Sequence, residues 1–86
     1  MKEVIRFTAD WCGPCRMYKP TWDEVVQENK SKYKFIEIDV DKDNTGLAAK
    51  FEVRNVPSTV VVNEDGSWNK EVGSLTTSKL LNLIKG

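Results

Sequence analysis

The chain has 86 residues, room for one domain with a small core, and its 40% hydrophobic and 30% charged residues suit a folded protein rather than a disordered one. Thirteen basic residues balance thirteen acidic ones, which argues against nucleic acid or an anionic membrane as a partner. No apolar run is long enough to span a bilayer, and two cysteines without any histidine exclude Cys–His and Ser–His–Asp chemistry and leave one chain short of the four ligands of a structural zinc site.

The first apolar stretch, Val4 to Thr8, is a short strand rich in apolar and β-branched residues. Lys2, Glu3 and Arg6 break up this start, so it does not have the pattern of a signal peptide, and a soluble cytoplasmic protein is expected. Ala9-Asp10-Trp11 is a connector. A helix follows from about Gly13 to about Asn29, with Pro14 in its first turn, where a missing N–H costs nothing. Met17, Val25 and Val26 are candidates for its inner side, and Pro20 should kink it.

Phe35 to Val40 is a second strand, whose alternation sends Ile36, Ile38 and Val40 to one face and Phe35, Glu37 and Asp39 to the other. Asp43 or Asn44 can cap a short helix that runs to about Phe51. Val56-Pro57 interrupts the pattern before a third strand, Thr59 to Val62. Asn63-Glu64-Asp65-Gly66 is a hairpin turn, and Ser67 to Val72 returns as a fourth strand. Thr76 or Thr77 caps a last helix to Lys85, with Leu80, Leu81 and Ile84 at helical spacing. The order β-α-β-α-β-β-α makes the first two strands parallel and the last two antiparallel. It predicts an α/β fold, a four-stranded mixed sheet flanked by helices.

Cys12-Gly13-Pro14-Cys15 sits between the first strand and the long helix. Residues three apart at a helix start share one side of the first turn, so their sulfurs can cycle between dithiol and disulfide. A structural role is a poor reading, because so short a loop constrains little of the unfolded chain. Cys12 lies at the positive end of the helix dipole, which favours thiolate, and is the expected nucleophile. Cys15, one turn deeper, is expected to resolve the mixed disulfide. Gly13 permits close approach of a substrate chain, and Pro14 holds the turn.

Trp11-Cys12-Gly13-Pro14-Cys15-Arg16, Met17, Pro20, the segment Val53-Arg54-Asn55-Val56-Pro57 and Gly73 sixteen residues further on together resemble the thioredoxin family over nearly the whole chain. The resemblance implies a thioredoxin fold and a protein-disulfide reductase, an electron carrier that holds no cofactor and takes its reducing equivalents from a thioredoxin reductase. Protein disulfides are the implied substrates, ribonucleotide reductase among the plausible ones, and a monomer is expected. It implies a cis Val56–Pro57 bond and a backbone at Val56 that pairs with an extended substrate segment. Trp11, Gly13, Pro14, Val56, Pro57, Val72, Gly73 and Ser74 are then the expected groove. Gly13-Pro14 favours a reductant over an oxidant or isomerase. A non-catalytic binding module is the alternative from another class.

The sequence departs from the family pattern in two ways. The strand before the dithiol begins at residue 4, so the family's first strand and helix have no counterpart, and the second strand becomes a sheet edge where Glu37 and Asp39 discourage edge pairing. Thioredoxins also place a buried aspartate where this chain has Arg6 and a lysine where it has Glu37. Arginine cannot act as a base near neutral pH. One reading is a reversed buried pair in which Glu37 takes over proton transfer from Cys15. The other is an Arg6 that runs along the sheet to solvent, with Glu37 an ordinary edge charge. Trp22 is expected in helix packing and Trp68 as a strand or hairpin residue, with surface contacts for a partner as the alternative, whereas Trp11 is expected to shield the thiolate or touch substrate. Arg16 and Lys19 are either a solvated face or an aid to the thiolate.

Overall fold

A computed structural model describes residues 1–86. The elements are β1 (Glu3–Thr8), α1 (Gly13–Asn29), β2 (Lys34–Asp39), α2 (Leu47–Lys50), β3 (Ser58–Val62), β4 (Trp68–Val72) and α3 (Thr77–Lys85). They form a four-stranded sheet of order β2-β1-β3-β4, with β1 and β2 parallel and the other pairs antiparallel. This is the mixed sheet expected from the element order. The strands match the expected bounds to within one residue, and β2 is an edge.

β1 is paired on both sides and covered on both faces, so Val4, Ile5, Arg6 and Phe7 are all buried in succession. Its alternation divides the interior. Val4 joins Tyr18, Trp22 and Val25 of α1, Val61 of β3, and Leu80 and Ile84 of α3. Ile5 and Phe7 point the other way, into a smaller cluster with Ile38, Val60 and Phe51, the residue that ends α2. The register places Arg6 between Glu37 of β2 and Thr59 of β3.

The inner side of α1 differs from expectation. Cys15, Tyr18, Trp22 and Val25 are its buried residues, Val26 is only half-buried, and Met17 is exposed. Once Cys15 faces the sheet, positions three and seven further on must follow it, and Met17 falls a quarter-turn or more away. Trp22 packs edge-on against Phe35 with ring centroids 5.6 Å apart. Trp68 does the same with Phe51 at 5.1 Å. Pro20 lies inside α1, where its ring leaves the Arg16 carbonyl without the usual helical donor.

The cap of α2 also differs. Gly46, at φ 77°, occupies the N-cap and supplies no side-chain bond. Asp43 instead folds the loop before it, accepting from the Thr45 N–H and hydroxyl and from the Ala48 N–H. That turn consumes Asp43 three residues early, and the chain enters the helix through a left-handed residue that glycine adopts without strain. At α3 the cap is Thr76, whose hydroxyl accepts from the Lys79 N–H at 3.1 Å.

Candidate active site

The end of β1 delivers Cys12 to the first turn of α1. Cys12 and Cys15 form a disulfide with Cα atoms 5.2 Å apart. Cys12 is the N-cap, and its Sγ accepts from the Cys15 N–H at 3.1 Å. The sulfur therefore does what a capping oxygen does, and it sits against the unpaired N–H groups of a 17-residue helix with no acidic side chain in its first turn. Those donors and the helix dipole favour negative charge on this sulfur. Both cysteines are almost fully covered in the disulfide form.

Three segments close around the sulfurs. The Val56–Pro57 bond is cis, and the Val56 carbonyl lies 3.6 Å from Cys12 Sγ. Gly73, at φ 99°, donates its N–H to the Pro57 carbonyl at 2.8 Å, which joins the end of β4 to the start of β3. A side chain at Gly73 would meet open space, so it is the backbone conformation that favours glycine there. Ser74 reaches across to α1, its hydroxyl donating to the Pro14 carbonyl at 3.0 Å. On the other side Trp11, 68% exposed, donates from its indole to Asp41 at 2.7 Å.

Of the expected groove, Trp11, Pro14, Val72 and Ser74 are thus exposed around the dithiol, Gly13, Val56 and Gly73 are half-buried, and Pro57 is buried beneath. A depression of about 240 Å³, lined by Trp11, Val40, Val53, Arg54, Asn55 and Val56, lies on the Trp11 side. A larger one of about 510 Å³ between β4 and α3 meets the groove only through Val72 and Ser74. Arg16 donates to the Asp10 carbonyl at 2.8 Å, and Lys19 pairs with Asp23 at 3.3 Å, so Lys19 is engaged along the helix rather than at the sulfurs.

Below the dithiol lies a polar layer. Arg6 is the largest fully buried side chain. One guanidinium nitrogen donates to Glu37 at 2.5 Å and the other to the Cys15 carbonyl at 2.8 Å. Its Nε has no partner. The guanidinium lies 5.8 Å from the centre of the Tyr18 ring, and the Tyr18 hydroxyl meets the Thr59 hydroxyl at 2.8 Å. Burial pushes the Tyr18 hydroxyl above the ordinary tyrosine range, against the opposing effects of the Thr59 bond and the Arg6 charge. Glu37 closes this layer toward solvent with 43% of its side chain exposed.

Sequence reasoning missed Asp41, Tyr18 and Thr59. Asp41 had a usable signal: parallel pairing of β1 and β2 brings the residues that follow both strands together. Tyr18 and Thr59 meet only once the phase of α1 is known.

The thioredoxin family model matches residues 1–86. The chain is 36% identical over 85 residues to a thioredoxin of Mycoplasmoides gallisepticum, covering 98% of this chain and 82% of that one. It is 36% identical over 81 residues to a thioredoxin of Haemophilus influenzae, covering 94% and 75%. Among solved structures, mitochondrial thioredoxin 3 of Saccharomyces cerevisiae in its oxidised form superposes with a TM-score of 0.82 at 31% identity, over 99% of this chain and 78% of that one. The Deadhead thioredoxin of Drosophila melanogaster superposes with a TM-score of 0.85 at 30% identity, over 98% and 78%.

Proposed function

The chain belongs to the thioredoxin family and is a dithiol–disulfide oxidoreductase, and from that premise we propose how its own residues divide the reaction. Reduced Cys12, as thiolate, attacks one sulfur of a substrate disulfide; the other substrate sulfur leaves with the electron pair and takes a proton. Cys15 then gives up its proton and attacks Cys12, breaking the mixed disulfide and releasing the second substrate sulfur as a thiol. Two electrons have passed to the substrate, and the Cys12–Cys15 disulfide remains.

The observation that carries this reading is the Cys12 sulfur serving as N-cap of α1 against the Val56 carbonyl. The cap and dipole select Cys12 as the attacking sulfur. The free edge of the Val56 segment offers backbone groups to an extended substrate chain, flanked by Trp11, Gly13 and Pro14 on one side and Val72, Gly73 and Ser74 on the other. Glu37 is the proposed acceptor of the Cys15 proton, held by Arg6 and exposed enough to return the proton to solvent.

Reduction of insulin disulfides tests the assignment. Cys12→Ser should abolish turnover, and Cys15→Ser should trap a mixed disulfide that a gel without reductant detects. Turnover by Cys12→Ser would remove Cys12 from its role. A resolving step in Glu37→Gln that keeps the wild-type rate from pH 5 to pH 9 would remove Glu37 from its own. In the cell, protein disulfides including that of ribonucleotide reductase are the proposed substrates, an NADPH-dependent thioredoxin reductase the proposed donor, and a cytoplasmic monomer the proposed form.

A further inference from the structure

A permanent positive charge is built into the floor of this site. Arg6 is 2% exposed, and its cationic guanidinium touches the Cys15 carbonyl directly. The guanidinium stands between that carbonyl and Glu37, since one of its terminal nitrogens serves each. Its one counter-anion is half in solvent, where water screens it, whereas the side toward Cys15 is buried. Neither Tyr18 nor Thr59 adds a second negative charge, because both are present as neutral hydroxyls bonded to each other. Compensation is therefore lopsided: the cation meets the buried Cys15 backbone on one side, and its counter-anion faces solvent on the other.

We propose that Arg6 is a positioning residue that shifts the Cys12–Cys15 pair toward the oxidising end of the redox scale, and that Glu37 moderates this shift. The disulfide is neutral, whereas the reduced pair carries thiolate charge. A cation beneath the sulfurs stabilises the reduced, anionic form and leaves the disulfide untouched. An anion there does the reverse. The proposal rests on the assignment of Cys12 and Cys15 as the reacting pair, and it adds what decides their equilibrium.

The other charges near the pair are already engaged or on the surface. Asp10 and Asp39 share Lys42 at 3.5 and 3.9 Å, and Arg16 is bonded to the Asp10 carbonyl. From β3, Ser58 and Thr59 bring no charge, and Glu71 of β4, opposite Thr59, is exposed. Arg6 and Glu37 are thus the charges whose substitution isolates the effect.

The experiment equilibrates the protein with reduced and oxidised glutathione. Two glutathione thiols are oxidised as the Cys12–Cys15 disulfide is reduced, and the dithiol fraction is counted by thiol alkylation. Arg6→Met, close in length and neutral, should move the equilibrium about tenfold or more toward the disulfide, which is about 30 mV for two electrons. It should also raise the pH at which Cys12 becomes alkylated by iodoacetamide. Glu37→Gln, which keeps an oxygen for Arg6 to bond, should move the equilibrium several-fold the opposite way. Arg6→Lys should stay near wild type. A structural role alone would lower stability in these variants without moving the redox equilibrium in opposite directions. An Arg6→Met equilibrium that is unchanged or moves toward the dithiol overturns the proposal, as does a Glu37→Gln shift in the Arg6→Met direction. If Arg6→Met does not fold by circular dichroism, Glu37→Gln and Arg6→Lys decide the matter. A wild-type pair that never titrates between dithiol and disulfide would instead sink the redox assignment itself.

Discussion

The two faces of β1 solve the burial of a small sheet in different ways. Ile5 and Phe7 enter an apolar cluster with Ile38, Val60 and Phe51. One residue away, Arg6 enters a layer built of Glu37, Tyr18, Thr59 and a helix carbonyl. The apolar face is stabilised by area removed from water, and its worth depends on filling space. On the other face, which also carries the larger apolar cluster of Val4, the layer around Arg6 is held by partners, and its worth depends on which of them remain when one is lost. The dithiol sits over this polar layer, which touches it through the Cys15 carbonyl. The same layer that fixes α1 to the sheet therefore also reaches the Cys15 backbone.

Phe7→Ala and Arg6→Met put this contrast to its hardest test, because both residues are fully buried and neighbours in the chain. Phe7→Ala should cost about 3–5 kcal/mol through lost transfer energy and the cavity left behind. For 86 residues, whose total stability is on the order of 4–13 kcal/mol, that is a large share. Arg6→Met should stay within about 2 kcal/mol of wild type, since Glu37 is half in water already and can re-solvate. Urea unfolding monitored by tryptophan fluorescence measures both. Equal losses would mean that the two faces are held in the same way.

Removing the acid instead of the base should expose the asymmetry. Glu37→Leu leaves the Arg6 guanidinium inside with only the Cys15 carbonyl and the Tyr18 ring, and with an Nε that had no partner to begin with. The expected loss is about 3 kcal/mol, more than for Arg6→Met although Glu37 is the more exposed partner. Below this comes the hydroxyl pair. Tyr18→Phe should cost about 1–2 kcal/mol by stranding the buried Thr59 hydroxyl, and adding Thr59→Val should recover most of it. A double variant no better than the single would show that the hydroxyls do not act as a pair.

How much of each face was legible in the sequence follows the same division. Period-two alternation in Phe35–Val40 and a β-branched run at Thr59–Val62 announce strands without any tertiary knowledge. The order of elements then dictates the parallel pairing. Arg6 and Glu37 could be set opposite each other because the resemblance to the thioredoxin family implies an acid and a lysine at those two positions, whereas parallel pairing alone does not fix the register. Tyr18 could not be placed, because the phase of α1 is set by Cys15 facing the sheet, and apolar Met17 was the more obvious candidate for the inner side. The Asp41 contact with Trp11 follows only from the parallel pairing of β1 and β2, and the Ser74 bond to Pro14 depends on a side chain that spans a loop, for which no local pattern exists.

The smallest expected effect separates the faces by pH. Burial raises the Tyr18 pKa above its ordinary value of 10.0. The folded protein thus holds that proton after the unfolded chain has released it, and stability falls as pH climbs past about 10. Tyr18→Phe should flatten this alkaline slope. On the apolar side, Asp43 has its pKa held below the ordinary 3.8, first by the Thr45 hydroxyl and then by N–H donors that include Ala48 of α2. Its contribution is present above that value and disappears as pH falls through the lower folded pKa. Asp65 is lowered by the equivalent bond from Ser67, but it lies in the β3–β4 hairpin, away from α2. Acid should therefore loosen the entry to α2 first and alkali the packing of α1. Hydrogen exchange at the Ala48 amide, followed downward from pH 5 in wild type and Asp43→Asn, measures the acid arm. If protection at Ala48 in wild type stays level with that of the sheet amides as acid is added, the Asp43 turn does not hold α2 against the apolar face, and that face depends on the packing of Phe51, Leu47 and Val53.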